Sequence, residues 1–185
     1  MDARRNRAWI LDSDAIYLYD VQTRRLVKRI ELPGWLLVDE AYSCAPDLTI
    51  GPSGAAFVTS NITPDIWEID PQDITVRRHA LVLDADADKD VGLTGLAFDR
   101  ESGTLFGVSA MLGTLWNIDL RRDTAYKVRL SRPVRGGCGL VALNVQRPSK
   151  PAPPILCIAG SKPADGVELN SDMREGRTTS GACEP

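Results

Sequence analysis

Apolar residues in this chain come in short runs that alternate with polar ones, and the runs are broken by Gly, Pro, Asp and Asn. Residues 104–109 (TLFGVS) are an apolar run, residues 114–119 (TLWNID) alternate toward a charged end, and residues 125–130 (AYKVRL) alternate again. Runs this short do not fill a helix and fit strands, whose side chains switch face at every residue. The stretch therefore predicts three consecutive antiparallel strands.

The pattern is repeated. IYLYD, IWEID and LWNID end at Asp20, Asp70 and Asp119, which are 50 and 49 residues apart. Three positions before each aspartate stand Tyr17, Trp67 and Trp116, and one position before it Tyr19, Ile69 and Ile118. These positions share a strand face, with Leu18, Glu68 and Asn117 on the other. Phe57 and Phe106 occupy matching places in AAFVTS and TLFGVS, and WILDS at residues 9–13 takes that place in the first copy. Downstream, LVKRIEL, TVRRHAL and AYKVRL align as outer strands, and their basic residues suit an edge that refuses further pairing. A weaker fourth copy runs through LVALNV and PILCIAG to GVELN, with Val167 and Leu169 in the repeated places before Asn170.

Short strands repeating at this period predict an all-β fold of β-propeller blades, each a four-stranded antiparallel sheet that needs a neighbour to cover its faces. The blade copies span residues 8–32, 47–81, 95–130 and 142–170, and the first lacks its innermost strand. Residues 171–185 carry few apolar positions and are expected to be disordered. Three to four copies sit at the low end of the usual four to eight blades, which predicts an incomplete propeller, and a truncated copy of a longer one is among the readings. An open ring leaves an apolar blade face available for self-association. Trp67 and Trp116 are expected to pack between blades, with ligand stacking as the alternative.

Residues 57–70, FVTSNITPDIWEID, resemble the YVTN-type propeller repeat, in which a Tyr-Val-Thr-Asn-like strand precedes a Val-Ile-Asp-like strand. Propellers of the YVTN, NHL and gluconolactonase-like groups write their blades in this way. The resemblance implies the fold. Through the gluconolactonase-like group it also implies a divalent cation in a central channel that would polarise a lactone carbonyl and activate water. No ligand of that group transfers residue by residue to this chain.

Composition narrows the remaining choices. The net charge is −3, with 22 basic and 25 acidic residues interspersed, so no basic face for nucleic acid is expected. No stretch is apolar enough for a membrane span, and the basic start MDARRNR runs into a strand without the apolar core of a signal peptide. As written, that points to the cytoplasm, or to the periplasm or secretion if a leader precedes it. Cys44, Cys138, Cys157 and Cys183 show no zinc-ligand spacing, and His79 is the single histidine, so neither a zinc site nor a Cys/His nucleophile is expected. Cys44 and Cys138 each precede the first strand of a blade, near the axis. They are expected to be buried free thiols, since a disulfide requires an oxidising compartment.

Two loops carry the remaining candidate chemistry. The connection at residues 35–46 (WLLVDEAYSCAP) offers Trp35, Asp39 and Glu40 as a binding surface. In VLDADADKDVG, Asp84, Asp86 and Asp88 alternate like the first ligands of a calcium loop. The match fails where Lys89 replaces the required Gly and Gly95 the bidentate Glu, so a solvated acidic loop competes with calcium there. No reactive constellation stands out. A non-catalytic binding or scaffolding module, with no cofactor beyond that calcium, is the leading expectation, and a metal-dependent gluconolactonase-like hydrolase is the alternative.

Overall fold

A computed structural model of the chain describes residues 2, 4–12, 15–32, 44–85, 92–143, 154–160, 165–180 and 183. Every regular element among them is a β-strand, and the strands form four separate sheets in chain order. The first sheet is β1 (Arg7–Leu11), β2 (Ile16–Asp20) and β3 (Arg25–Ile30). The second is β4 (Leu48–Ile50), β5 (Ala56–Thr59), β6 (Asp65–Ile69) and β7 (Val76–Ala80). After β8 (Val82–Leu83), the third sheet is built from β9 (Gly95–Phe98), β10 (Leu105–Ser109), β11 (Thr114–Asp119) and β12 (Thr124–Lys127). After β13 (Arg129–Leu130), the fourth comprises β14 (Gly139–Leu143), β15 (Ile155–Ala159), β16 (Asp165–Leu169) and β17 (Glu175–Ser180). Within each sheet consecutive strands pair antiparallel, inner to outer.

The core consists of three seams between neighbouring sheets. Trp9, Ile16, Leu18 and Ile30 of the first sheet meet Ala56, Val58, Trp67 and Ile69 of the second. Phe57 and Ile66 meet Leu96, Leu105, Trp116 and Ile118. Phe106, Val108 and Leu115 meet Leu140, Leu156, Ile158, Val167 and Leu169. Trp67, Trp116 and Val167 thus hold one register position, each looking back at the preceding sheet, while the alternate residues look forward. None of these clusters joins the first sheet to the fourth, so the described sheets form an open arc. Burying one such aromatic contributes roughly 1.5–3 kcal/mol, which neither face of a lone sheet could supply.

The repeated aspartate has a local cause. Its carboxylate accepts amides from the turn that follows: Asp20 from Thr23 at 2.7 Å, Asp70 from Gln72 at 2.7 Å and Asp119 from Arg121 at 3.0 Å. Asn170 does the same for Arg174 at 3.1 Å. Such side chains substitute for a backbone turn bond. Each turn then passes through a left-handed residue, Arg24, Ile74, Asp123 or Met173, with φ between 51° and 60°.

Several expectations are corrected. Residues 175–180, expected to be disordered, form β17, because an outer strand needs ladder hydrogen bonds to β16 rather than apolar side chains. The run at residues 125–130 is not one strand: β12 ends at Lys127, Val128 turns into the seam, and β13 crosses to pair in parallel with β17. In the same way β8 leaves the second sheet and pairs in parallel with β12. The outer strands β12 and β17 therefore each accept a further strand, and the basic outer strand of the third sheet does not refuse one.

Candidate functional site

The innermost strands β4, β9 and β14 all start at the same end of the arc, and Asp47, Thr94 and Cys138 stand immediately before them. Because β5 and β10 run back antiparallel, their C-terminal residues Thr59, Ser60, Asn61 and Ser109 return to that end. The result is a buried polar cluster around the inner edge, in which Thr59, Ser60, Asn61, Thr94 and Ser109 are each at most 5% exposed.

Asp47 is its centre. Its Oδ2 accepts the Leu96 amide of the third sheet at 2.9 Å and its Oδ1 accepts the Leu48 amide at 2.8 Å. Its own amide donates to Thr59 Oγ1 at 2.8 Å. Burial pushes the Asp47 carboxyl above its usual range, against the opposing pull of the Leu96, Leu48 and Leu140 amides. Thr94 Oγ1 donates to Gly137 O at 2.6 Å, and Ser109 Oγ to Gly92 O at 2.8 Å while accepting from Trp116 Nε1 at 3.1 Å. Gly92 adopts φ 63° with its α-carbon against the Asn61 backbone, where a Cβ would lie 2.1 Å from a carbonyl carbon. Asn61 Nδ2 donates to Cys44 O at 3.0 Å, and its buried Oδ1 has no partner.

Cys44 and Cys138, expected as free thiols, are bonded to each other across 94 residues, and Cys157 is bonded to Cys183. The first bridge ties the connection ahead of the second sheet to the start of the fourth. The expectation failed because cysteines so far apart in sequence carry no pairing signal until the inner strands converge. Their placement near the axis agrees with the reading of the sequence.

A second polar relay crosses the seam between the second and third sheets. His79, buried on β7, has Nε2 3.0 Å from Glu68 Oε2 and Nδ1 2.5 Å from Asp123 Oδ1 in the left-handed turn of the next sheet. Nearby, Arg78 makes a two-pronged contact with the buried Asp65, at 2.8 and 3.1 Å.

Trp35, Asp39, Glu40, Asp86 and Asp88 lie outside the described residues. The segments that carry them re-enter at Cys44 and Gly92, beside the axial cluster. Asp84 is described, and its Oδ1 accepts the Lys127 amide at 2.8 Å, so it serves the β8–β12 crossing. Among the described residues no three metal-ligating side chains are gathered. Asp47 and Asn61 were not singled out from the sequence. The only signal was a polar residue just ahead of an inner strand, which also marks ordinary turns.

This arrangement of sheets recurs in solved structures. Virginiamycin B lyase from Staphylococcus aureus superposes with a TM-score of 0.63 over 94% of this chain and 50% of that one, at 15% identity. The fold is that of a β-propeller. A streptogramin B lyase gives 0.62 over 94% and 50% at 13% identity, and the dihydro-heme d1 dehydrogenase NirN 0.57 over 90% and 32% at 11%. The chain therefore spans half or less of the length of these propellers. No family model and no curated protein sequence matches it.

Proposed function

We propose that this chain is a binding or scaffolding module that presents the axial end of its blades to a partner, without catalysing a reaction. One observation carries the reading: the polar side chains gathered at that end are engaged in bracing the backbone. Asp47 and Thr94 bond backbone groups of the next sheet or of the connection into it, and Ser109 bonds Gly92 at the entry to its own sheet. Trp35, Asp39 and Glu40, together with Asp86 and Asp88, are the residues proposed to supply the contacting surface, on segments that lead into Cys44 and Gly92 at this end. The disulfides fit an oxidising compartment, which favours the periplasm or the cell exterior over the cytoplasm.

A metal-dependent hydrolase of the gluconolactonase-like kind is the second reading, favoured by the buried, unpartnered Asn61 Oδ1 at the same end of the blades as Asp47. Titration calorimetry with calcium and zinc, followed by a gluconolactone hydrolysis assay in each metal, separates the two. The binding-module reading expects no turnover in either metal. It also expects that replacing Trp35, Asp39 and Glu40 together by Ala abolishes partner capture while the fold is retained. Metal-stimulated hydrolysis that Asn61→Ala removes would establish the hydrolase instead.

A further inference from the structure

Two of the three internal seams share a positional pairing that the two outermost faces of the arc are also equipped to make. In these two seams the residue two before the repeated Asp meets the left-handed turn residue of the next sheet, within one cluster or through a bridging side chain. Leu18 and Ile74 belong to the first cluster, both apolar. Glu68 reaches Asp123 through His79, a polar pair with a bridge. In the third seam the turn residue Met173 packs into the apolar cluster itself. The positions left over are Glu168, on the forward face of the fourth sheet, and Arg24, in the turn of the first. They carry opposite charge. Thr179 stands where His79 stands in the second sheet, as the pairs Gly166–Thr179 and Ile66–His79 show, so a long arginine has room there.

The faces bearing these residues are apolar at the register positions that are buried elsewhere. On the backward face of the first sheet, Tyr17 and Tyr19 occupy the places of Trp67 and Ile69, flanked by Ile10 at 48% and Leu26 at 50% exposure. On the forward face of the fourth, Ile155 takes the place of Phe57 and Phe106, beside Val141 at 56% and Leu143 at 45%. Cys183 is bonded to Cys157 on this face, fixing the chain beyond β17 against it as Leu32, Leu81 and Val128 fix the exits of the earlier sheets.

We infer that two copies of this chain close one ring, the forward face of each fourth sheet packing on the backward face of the partner's first sheet, with Glu168 paired to Arg24. Four sheets from each copy give a ring of eight, within the usual four to eight. A twofold axis along the channel makes both new seams equivalent and leaves no open face, which distinguishes closure from an open filament. The inference is independent of what the axial end binds.

Sedimentation velocity on the purified protein, with both disulfides intact, tests it. The expected species has twice the 20.2 kDa chain mass. Glu168→Arg places like charges at both seams, and so does Arg24→Glu, so each variant alone is expected to dissociate at least tenfold more readily. Mixed in equal amounts, the two variants pair as a heterodimer in which both seams again carry opposite charges, and the double-mass species is expected to return. Loss of folding in either variant would not be repaired by mixing, so recovery isolates the contact. A wild-type monomer, an open series of larger species, or single variants that dissociate and do not recover on mixing would each overturn the inference.

Discussion

Trp67 and Trp116 occupy one register position and are both fully buried, yet their indole N–H groups differ. Trp116 Nε1 donates to Ser109 Oγ, whereas Trp67 Nε1 has no partner because the equivalent Ser60 Oγ accepts the Ile62 and Thr63 amides of its own loop. Replacing either indole by Phe removes similar apolar surface, but only Trp116→Phe breaks a hydrogen bond. Denaturant unfolding should find Trp116→Phe more destabilising than Trp67→Phe, by about 1 kcal/mol; equal costs would contradict the assignment. The repeat revealed the shared position of these tryptophans, and their seam packing was readable from it. The difference between them was not, since it depends on which loop amides reach a serine.

Two aspartates titrate in opposite directions for identifiable reasons. Thr23, through its amide and hydroxyl, lowers the Asp20 carboxyl below its usual value, and burial raises that of Asp47. The Asp20 contribution to stability is present above pH 3.8 and is lost as pH falls through its lowered value. The Asp47 contribution is fully present below 3.8 and is lost as pH rises through its raised value. Carboxyl-carbon NMR titration should place Asp47 above 3.8 and Asp20 below it; the reverse order would remove the account of the axial cluster.

Among the elements, β8 and β13 carry information that periodicity does not. Two residues have no alternation to detect, and both strands follow a basic outer strand that reads as an edge. Their partners explain them. Val82 N donates to Asp123 O at 2.8 Å and Asp84 N to Ala125 O at 3.1 Å, so the chain fastens the second sheet to the third at the rim as well as through the seam. Val82→Pro removes the first of these donors while leaving the exposed side-chain position apolar. Hydrogen exchange should then show faster exchange at Asp84 and along β12, with β10 unchanged. β17 escaped the sequence reading for a related reason. EGRTTS lies at the outer margin, where ladder hydrogen bonds do the work and apolar residues are not required.

At the scale of the whole molecule, the repeat period and the paired faces announced a stack of sheets, while the disulfides and the outer strand β17 were silent in the sequence. The Cys44–Cys138 bridge spans 94 residues and Cys157–Cys183 spans 26. Chain-entropy arguments assign them roughly 4.5 and 3.5 kcal/mol. Reduction should therefore lower the unfolding midpoint substantially, and Cys44→Ser with Cys138→Ser should cost more than Cys157→Ser with Cys183→Ser. Scanning calorimetry checks that order, and a midpoint indifferent to reductant would argue against both bridges.

The central claim is that side chains on alternate faces of each sheet belong to different seams, and double-mutant cycles test it most directly. Leu18 and Trp67 share the first seam, whereas Phe106 belongs to the third. Cycles of Leu18→Ala with Trp67→Phe should give a coupling of at least about 0.5 kcal/mol, and cycles of Phe106→Leu with Trp67→Phe none beyond error. Coupling of Trp67 to Phe106 without coupling to Leu18 would contradict the radial stacking on which everything above rests.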